Sequence, residues 1–334
     1  MTFTVVKLFS RFPLRWHSGL GSLDRSDLFP HSDTLFSALV NAFLLLYGEE
    51  MLPEFLSELW VSSVFPGIRQ EGKDVLFFPV PLSVIFSTPV SLRKKVKKVR
   101  FASWDAFQKL VKTFDFETHA FAVSFSDVSS PFLLWGTQYV ITHEEAIWLG
   151  RETIKVAKLL EPHVVLDRTN NRSQNLYFEE DIWMVSEPGA QPFLFFLYGD
   201  CRFEMTAILR LFVEEGLGGE RFQGKGSFDW FEVDTLDIPQ NGEYMVLFSV
   251  AKPRRSEIDA LLAYDLVKRG GFVFRGEPLG FQKRTHYKIA EGSLVRFPFV
   301  GENMDVSPFA EQPIISYGKA LGYAFSGKGE MVWK

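Results

Sequence analysis

The chain has 334 residues, with 36 Lys and Arg against 41 Asp and Glu and a formal charge of −5, so a protein that coats nucleic acid without discrimination is disfavoured, while a local basic groove stays open. With 46% hydrophobic residues, 35 Phe and one cysteine, Cys201, the sequence is too apolar for a disordered chain and excludes an intramolecular disulfide, a Cys-based zinc finger and an iron–sulfur cluster. The size predicts two domains; the apolar runs fall short of the ~20 residues a membrane helix needs, and no signal peptide is seen, so a soluble, cytoplasmic protein is expected.

Phe3 to Phe9 predicts a strand, and a polar loop with Gly19 and Gly21 follows. After Pro30 and His31, apolar residues recur at helical spacing from Leu35 to Tyr47. Ser32 or Asp33 is the expected N-cap and Gly48 the stop. A short helix around Glu54 to Trp60 and strands near Val61–Phe65 and Val75–Val80 complete a first sheet. Residues 88–160 read as an insertion. It carries Arg93-Lys94-Lys95-Val96-Lys97-Lys98-Val99-Arg100, six cations in eight residues. Such a run is either a solvated surface or a phosphate-facing patch. Val164–Asp167 and Leu176–Phe178 flank the polar stretch Arg168–Asn175, which predicts a hairpin over 161–185.

A second unit is predicted over 191–334. Phe193–Tyr198 reads as a strand, Arg202–Glu215 as a helix ended by Gly216, Phe228–Val233 and Tyr244–Val250 as strands, Ser256–Leu262 as a helix and Gly271–Phe274 as a strand. That order is βαββαβ, the ferredoxin-like pattern, and residues 1–190 read as a looser version of it, giving an α+β fold with antiparallel sheets.

Motifs for enzyme chemistry are missing or broken. The six histidines, His17, His31, His119, His143, His163 and His286, show no pair at metal-ligand spacing; His143-Glu144-Glu145-Ala146-Ile147 has Ile where a zincin needs its second His. No Gly-x-Ser-x-Gly elbow occurs. Gly219 to Lys225 matches a phosphate-binding loop up to its lysine, but Gly226 replaces the magnesium-binding hydroxyl, and the loop leaves a helix to enter a strand, the reverse of the required context. Asp24, Asp27 and Asp33 are either acid–base or metal groups, or caps and loop charges. Neither a metal nor a cofactor is expected.

The glycine loop has two open readings. Gly216, Gly218, Gly219, Gly224 and Gly226 permit positive φ and close approach, and Arg221 and Lys225 add charge, so the loop can cradle a phosphodiester; alternatively it is a tight crossover packing helix against sheet. Arg168 and Arg172 at the hairpin tip, and Lys283 and Arg284 near the C-terminal Tyr317-Gly318-Lys319-Ala320 motif, repeat the pairing of glycine or turn residues with cations.

These motifs resemble the RAMP proteins of CRISPR effector complexes, and more narrowly the fourth-subunit family of the type III-A (Csm) complex. The resemblance rests on His31-Ser32-Asp33-Thr34-Leu35-Phe36-Ser37-Ala38-Leu39, Leu166-Asp167-Arg168-Thr169-Asn170, Gly216–Gly219 with Gly224–Phe228, Tyr264–Phe272, Lys288–Ser293 and Tyr317–Ala320, in family order over nearly the whole chain. It implies tandem ferredoxin-like (RRM-like) domains, a β-hairpin thumb at 161–185 and a non-catalytic subunit. That subunit holds the 5′ handle of the crRNA and contacts the large polymerase/cyclase-like subunit and the backbone RAMP subunit. Expected RNA contacts are His17, Ser18 and Gly19 after the first strand, Ser32 at the first helix, Arg168, Thr169, Asn171 and Arg172 at the thumb, Gly218, Gly219, Arg221, Gly224, Lys225 and Gly226 in the glycine loop, and Lys283, Arg284 and Lys319 in the C-terminal part. The backbone RAMP subunit cuts RNA with a loop aspartate; Asp24 or Asp27 lies in a comparable place, but the surrounding motif differs and the activity is not transferred. The alternatives are a metal-independent CRISPR RNA-processing endoribonuclease of the same fold, with His17 as general base, and the equivalent subunit of a type III-B complex.

Overall fold

The first strand, Thr2–Phe9, sits between two antiparallel partners, Ala190–Tyr198 on one side and Trp230–Asp237 on the other. A computed structural model, which describes residues 1–18, 22–125, 130–150, 154–167, 169, 172–273, 281–309 and 313–327, gives this arrangement. Alternation along the strand separates two faces. Val6 lies opposite Phe196, which meets Phe212 of the helix Met205–Glu215; Lys7 lies opposite Phe195 and Glu232 on the other face.

Strand Phe65–Gln70 pairs with Ala190–Tyr198, so the sheet order begins Trp230–Asp237, Thr2–Phe9, Ala190–Tyr198, Phe65–Gln70. Numbered along the chain this is 4-1-3-2, the all-antiparallel order of a ferredoxin-like unit, with helices Ser32–Tyr47 and Met205–Glu215 as its two connections. Leu35, Phe36, Leu39, Ala42 and Phe43 of the first helix are buried, as their spacing dictates. Gly48 ends the helix at φ 74°. His31, rather than Ser32 or Asp33, occupies the N-cap, without a side-chain capping bond; both predicted caps are buried in longer-range contacts.

The expected domain boundary at 190/191 therefore does not follow the sheet pairing. The segments 190–198, 205–215 and 230–237, read above as the start of a second unit, complete the first one. Long-range pairing decides this, and local periodicity does not report it. Residues 73–185 are inserted between the second and third strands of that unit. Part of the insertion, Lys73–Pro79, Phe101–Ser103, Tyr139–Thr142 and Phe132–Trp135, extends the sheet to eight strands. The rest includes the thumb hairpin, Lys155–Asp167 paired with Arg172–Val185, whose base joins Leu14–Trp16. It starts six residues before the expected 161.

The second sheet runs Gly322–Phe325, Tyr244–Leu247, Leu294–Arg296, Leu261–Ala263, again 4-1-3-2 and antiparallel. The repeat is thus real in topology, but this copy is reduced. Its first connection is a 3₁₀ turn, Arg255–Ala260, where an α-helix over 256–262 was expected, and the strand predicted at 271–274 is the short pairing of Phe272–Val273 with Phe281–Gln282. One apolar core runs through both units: Phe65, Phe78 and Phe107 meet Phe248, and Phe36 meets Tyr317.

Candidate nucleic-acid interface

The helix Met205–Glu215 ends at Gly216, and the glycine loop then doubles back on itself: Leu217 N–H donates to Gly226 O at 2.8 Å. It is stitched to the segment after the first strand, with Gly219 N–H donating to His17 O at 2.9 Å and Gly226 N–H to Arg15 O at 2.6 Å. Gly218 and Gly226 have φ of 94° and 66°. A Cβ at Gly218 meets His17 O, and one at Gly226 meets Leu217 O, well inside contact distance. The tight-crossover reading therefore accounts for these two glycines. The tip is different: Gly219 and Gly224 are exposed, and Phe222 between them is 85% exposed. Arg221 at the tip is partly exposed and lies 3.5 Å from Glu215. Sequence spacing did not single out Phe222; an apolar residue inside a Gly- and charge-rich loop was the available signal.

Lys225 is not a surface contact. It is 0% exposed and its ammonium pairs with Glu179 and with Asp181, at 2.8 Å to the latter. Both carboxylates come from the thumb strand Arg172–Val185, whose root also takes Arg15: its Nη2 pairs with Asp181 and, at 3.1 Å, with Glu161, while its guanidinium lies 5.0 Å from the Trp183 ring. Burying carboxylates this deeply is tolerated only with such partners. The cluster locks thumb, glycine loop and Leu14–Trp16 together. His17, Glu179 and Asp181 also form the one group close enough to hold a metal among the described residues, but the Lys225 ammonium already supplies a cation to both carboxylates.

His17 is 4% exposed and its Nδ1 donates to Glu180 O at 2.8 Å. Ser18 is buried, its N–H donating to Ser26 Oγ at 2.9 Å. Neither is placed to touch RNA, and His17 is covered where a general base must be reached. Gly19, Arg168 and Asn171 and the side chain of Arg172 lie outside the described residues, while Thr169 is exposed at the thumb tip.

At the first helix, Ser32 is fully buried: its N–H donates to Ser63 Oγ at 2.8 Å and its Oγ accepts from Val250 N–H at 3.1 Å. Beside it, Asp33 receives Arg269 through both Nε and Nη2 and Lys288 at 3.0 Å, and Asp27 lies 2.7 Å from the same guanidinium. Burial alone pushes Asp33 up, but Arg269 and Lys288 outweigh it and hold the carboxyl well below its usual range. So Asp27 and Asp33 serve as ion-pair partners that join the units, a role outside both readings offered for them. Lys319 caps the end of helix Leu52–Glu58, donating to the carbonyls of Leu56, Ser57 and Leu59, and burial lowers its pKa to about 8. Ser32 and Lys319 are thus both engaged in contacts within the fold. Of the C-terminal candidates, Arg284 is exposed, while Lys283 is partly covered and burial lowers its pKa. Cys201 is half-buried with its thiol pushed up, against a nucleophilic role.

The described residues include no helix long and apolar enough to cross a membrane. A family model described as the CRISPR Csm4 C-terminal domain matches residues 240–325, the reduced second unit. The CRISPR system Cms protein Csm4 of Methanocaldococcus jannaschii is 27% identical over 329 residues, covering 88% of this chain and 86% of that protein. The protein of the same description from Thermococcus onnurineus is 28% identical over 276 residues, covering 80% and 82%. Among solved structures, the chain is similar to one in a crystal structure of a Csm3–Csm4 subcomplex of the type III-A CRISPR-Cas interference complex, with a TM-score of 0.64, 22% identity and coverage of 97% and 99%. A Csm1–Csm4 cassette in complex with cA4 gives 0.55 at 20% identity, covering 98% and 99%. At these identities the structural matches establish the fold. The second unit thus matches the Csm4 C-terminal domain, and proteins described as Csm4 are similar to the chain along most of its length.

Proposed function

We propose that the protein is a non-catalytic subunit of a type III-A complex that holds the 5′ handle of the crRNA and joins the large polymerase/cyclase-like subunit to the backbone RAMP filament. The observation that carries the RNA part is the glycine-loop tip: exposed backbone at Gly219 and Gly224 flanks the outward Phe222 and the cation of Arg221, next to the root of the projecting thumb. Exposed glycine backbone admits a phosphodiester closely, Arg neutralises it, and an exposed ring stacks an unpaired base. The assembly part is supported by relatives solved as a Csm3–Csm4 subcomplex and a Csm1–Csm4 cassette. The endoribonuclease reading gains nothing from the structure, because its only general-base candidate, His17, is enclosed and hydrogen-bonded.

The test is binding of a single-stranded RNA carrying the repeat-derived handle, with RNA integrity followed on a gel. Retention of uncut RNA by the protein, and its co-purification with co-expressed large and backbone subunits, is the expected outcome. Cleavage of the RNA, or no association with either subunit, contradicts the assignment.

A further inference from the structure

The basic run singled out in the sequence is not part of the glycine-loop site. Its backbone forms the turn Val90–Leu92 and the short helix Arg93–Val96, anchored by buried Val96 and Val99. This leaves Arg93, Lys94, Lys95, Lys97, Lys98 and Arg100 exposed, and no ion pair is formed by any of them among the described residues. In a chain with five more acids than bases, this many exposed cations without carboxylate partners form a local positive patch that favours an anionic ligand.

Beside the run lies a pocket of about 960 Å³, at the upper end of the roughly 300–1,000 Å³ typical of ligand sites. Three of the six cations, Arg93, Lys97 and Arg100, line it. Its walls include Phe29, Phe86 and Phe101, and Phe86 is the half-buried one, its ring stacked at 5.9 Å on Phe125. Another part of the lining is polar: Ser63 and the carboxylates of Asp27 and Glu291. The second unit helps shape the pocket, since Leu82 N–H donates to Gly292 O at 2.8 Å next to Glu291.

We propose that this pocket receives one unstacked nucleotide of a single-stranded RNA, its base against the Phe86 wall and its phosphodiester on Arg93, Lys97 and Arg100. Aromatic walls suit a base and unpaired cations suit phosphate, while the carboxylates of Asp27 and Glu291 are already held by Arg269 and His31. An acidic peptide meets the cations equally well but brings no base to stack on the aromatic wall. The inference rests on the RNA-binding reading above and adds a second contact region outside the glycine loop.

The experiment uses the full chain and a handle RNA carrying 4-thiouridine at each position in turn, with crosslinked peptides mapped by mass spectrometry. In parallel, salt-dependent affinity is measured for the triple variant Arg93→Glu, Lys97→Glu, Arg100→Glu, whose positions are exposed and tolerate exchange. A crosslink within residues 82–101 is expected, with at least tenfold weaker binding by the variant at an unchanged melting temperature. The salt slope of the variant is expected to fall by about 0.7, the value for one phosphate on a single strand. Crosslinks confined to the glycine loop or thumb, with variant affinity within twofold of the parent, overturn the pocket assignment while leaving RNA binding in place. Parent protein that does not bind the RNA overturns both. Unchanged RNA affinity with lost association to a co-expressed subunit identifies a protein-docking pocket and also overturns the proposal.

Discussion

Two clusters of basic residues look alike in the sequence and behave in opposite ways. Lys225 in the glycine loop turns inward onto Glu179 and Asp181, whereas all six cations of the 93–100 run stay in solvent. The difference lies in what the fold brings near. The thumb root delivers carboxylates to the loop from 46 residues away, and among the described residues none forms an ion pair with the run. A cation beside glycines is therefore not a phosphate contact by default; the carboxylates within reach decide.

The largest test of that contrast is Lys225→Ala. It takes the ammonium from buried Glu179 and leaves Asp181 with Arg15 alone, and is expected to cost roughly 3–5 kcal/mol, read as a lower denaturation midpoint, while Lys97→Ala leaves the midpoint unchanged. Equal stability of the two variants removes the contrast. Asp33→Asn is next: it leaves Arg269 and Lys288 buried against a neutral amide, with an expected loss of about 3 kcal/mol in urea unfolding. Gly226→Ala drives a Cβ into Leu217 O at a positive φ and is expected to cost about 1–3 kcal/mol, detectable as a lower melting temperature.

How much of this was legible can be traced residue by residue. The first strand and first helix follow from alternation and 3.6-residue spacing, and Gly48 marks the helix end as expected. The thumb hairpin was visible because two β-prone segments flank a polar tip. The sheet membership of 190–198 was not, because its partner lies at residues 4–8 and no local pattern encodes that. The same limit hid the partners of Lys225, Asp33 and Ser32, each more than 30 residues away. The second unit kept its strand order while replacing its first helix by a 3₁₀ turn, so helix-based reading failed there.

A smaller effect sharpens the inter-unit side of the comparison. Burial works against the His31 imidazolium, but Glu291, 2.7 Å away, more than offsets it, so the His31 pKa rises above its ordinary 6.5. The folded state then binds the proton more tightly than the unfolded one. The resulting stabilisation is complete below about pH 6.5 and disappears as pH climbs through the higher folded value. Relative to His31→Gln, the parent protein is expected to gain melting temperature between pH 8 and 6; parallel profiles contradict the pairing.

On the proposed function, the exposed tip of the glycine loop grips RNA while its root only holds the fold together. Filter binding of the handle RNA to the Arg221→Glu, Phe222→Ala double variant, with melting temperature measured on the same samples, tests it most directly. Affinity weakened by about 1–3 kcal/mol for the lost stacking alone and a shallower salt dependence are expected, with the melting temperature lowered by no more than loss of the Arg221–Glu215 pair brings. Undiminished affinity contradicts the proposed grip.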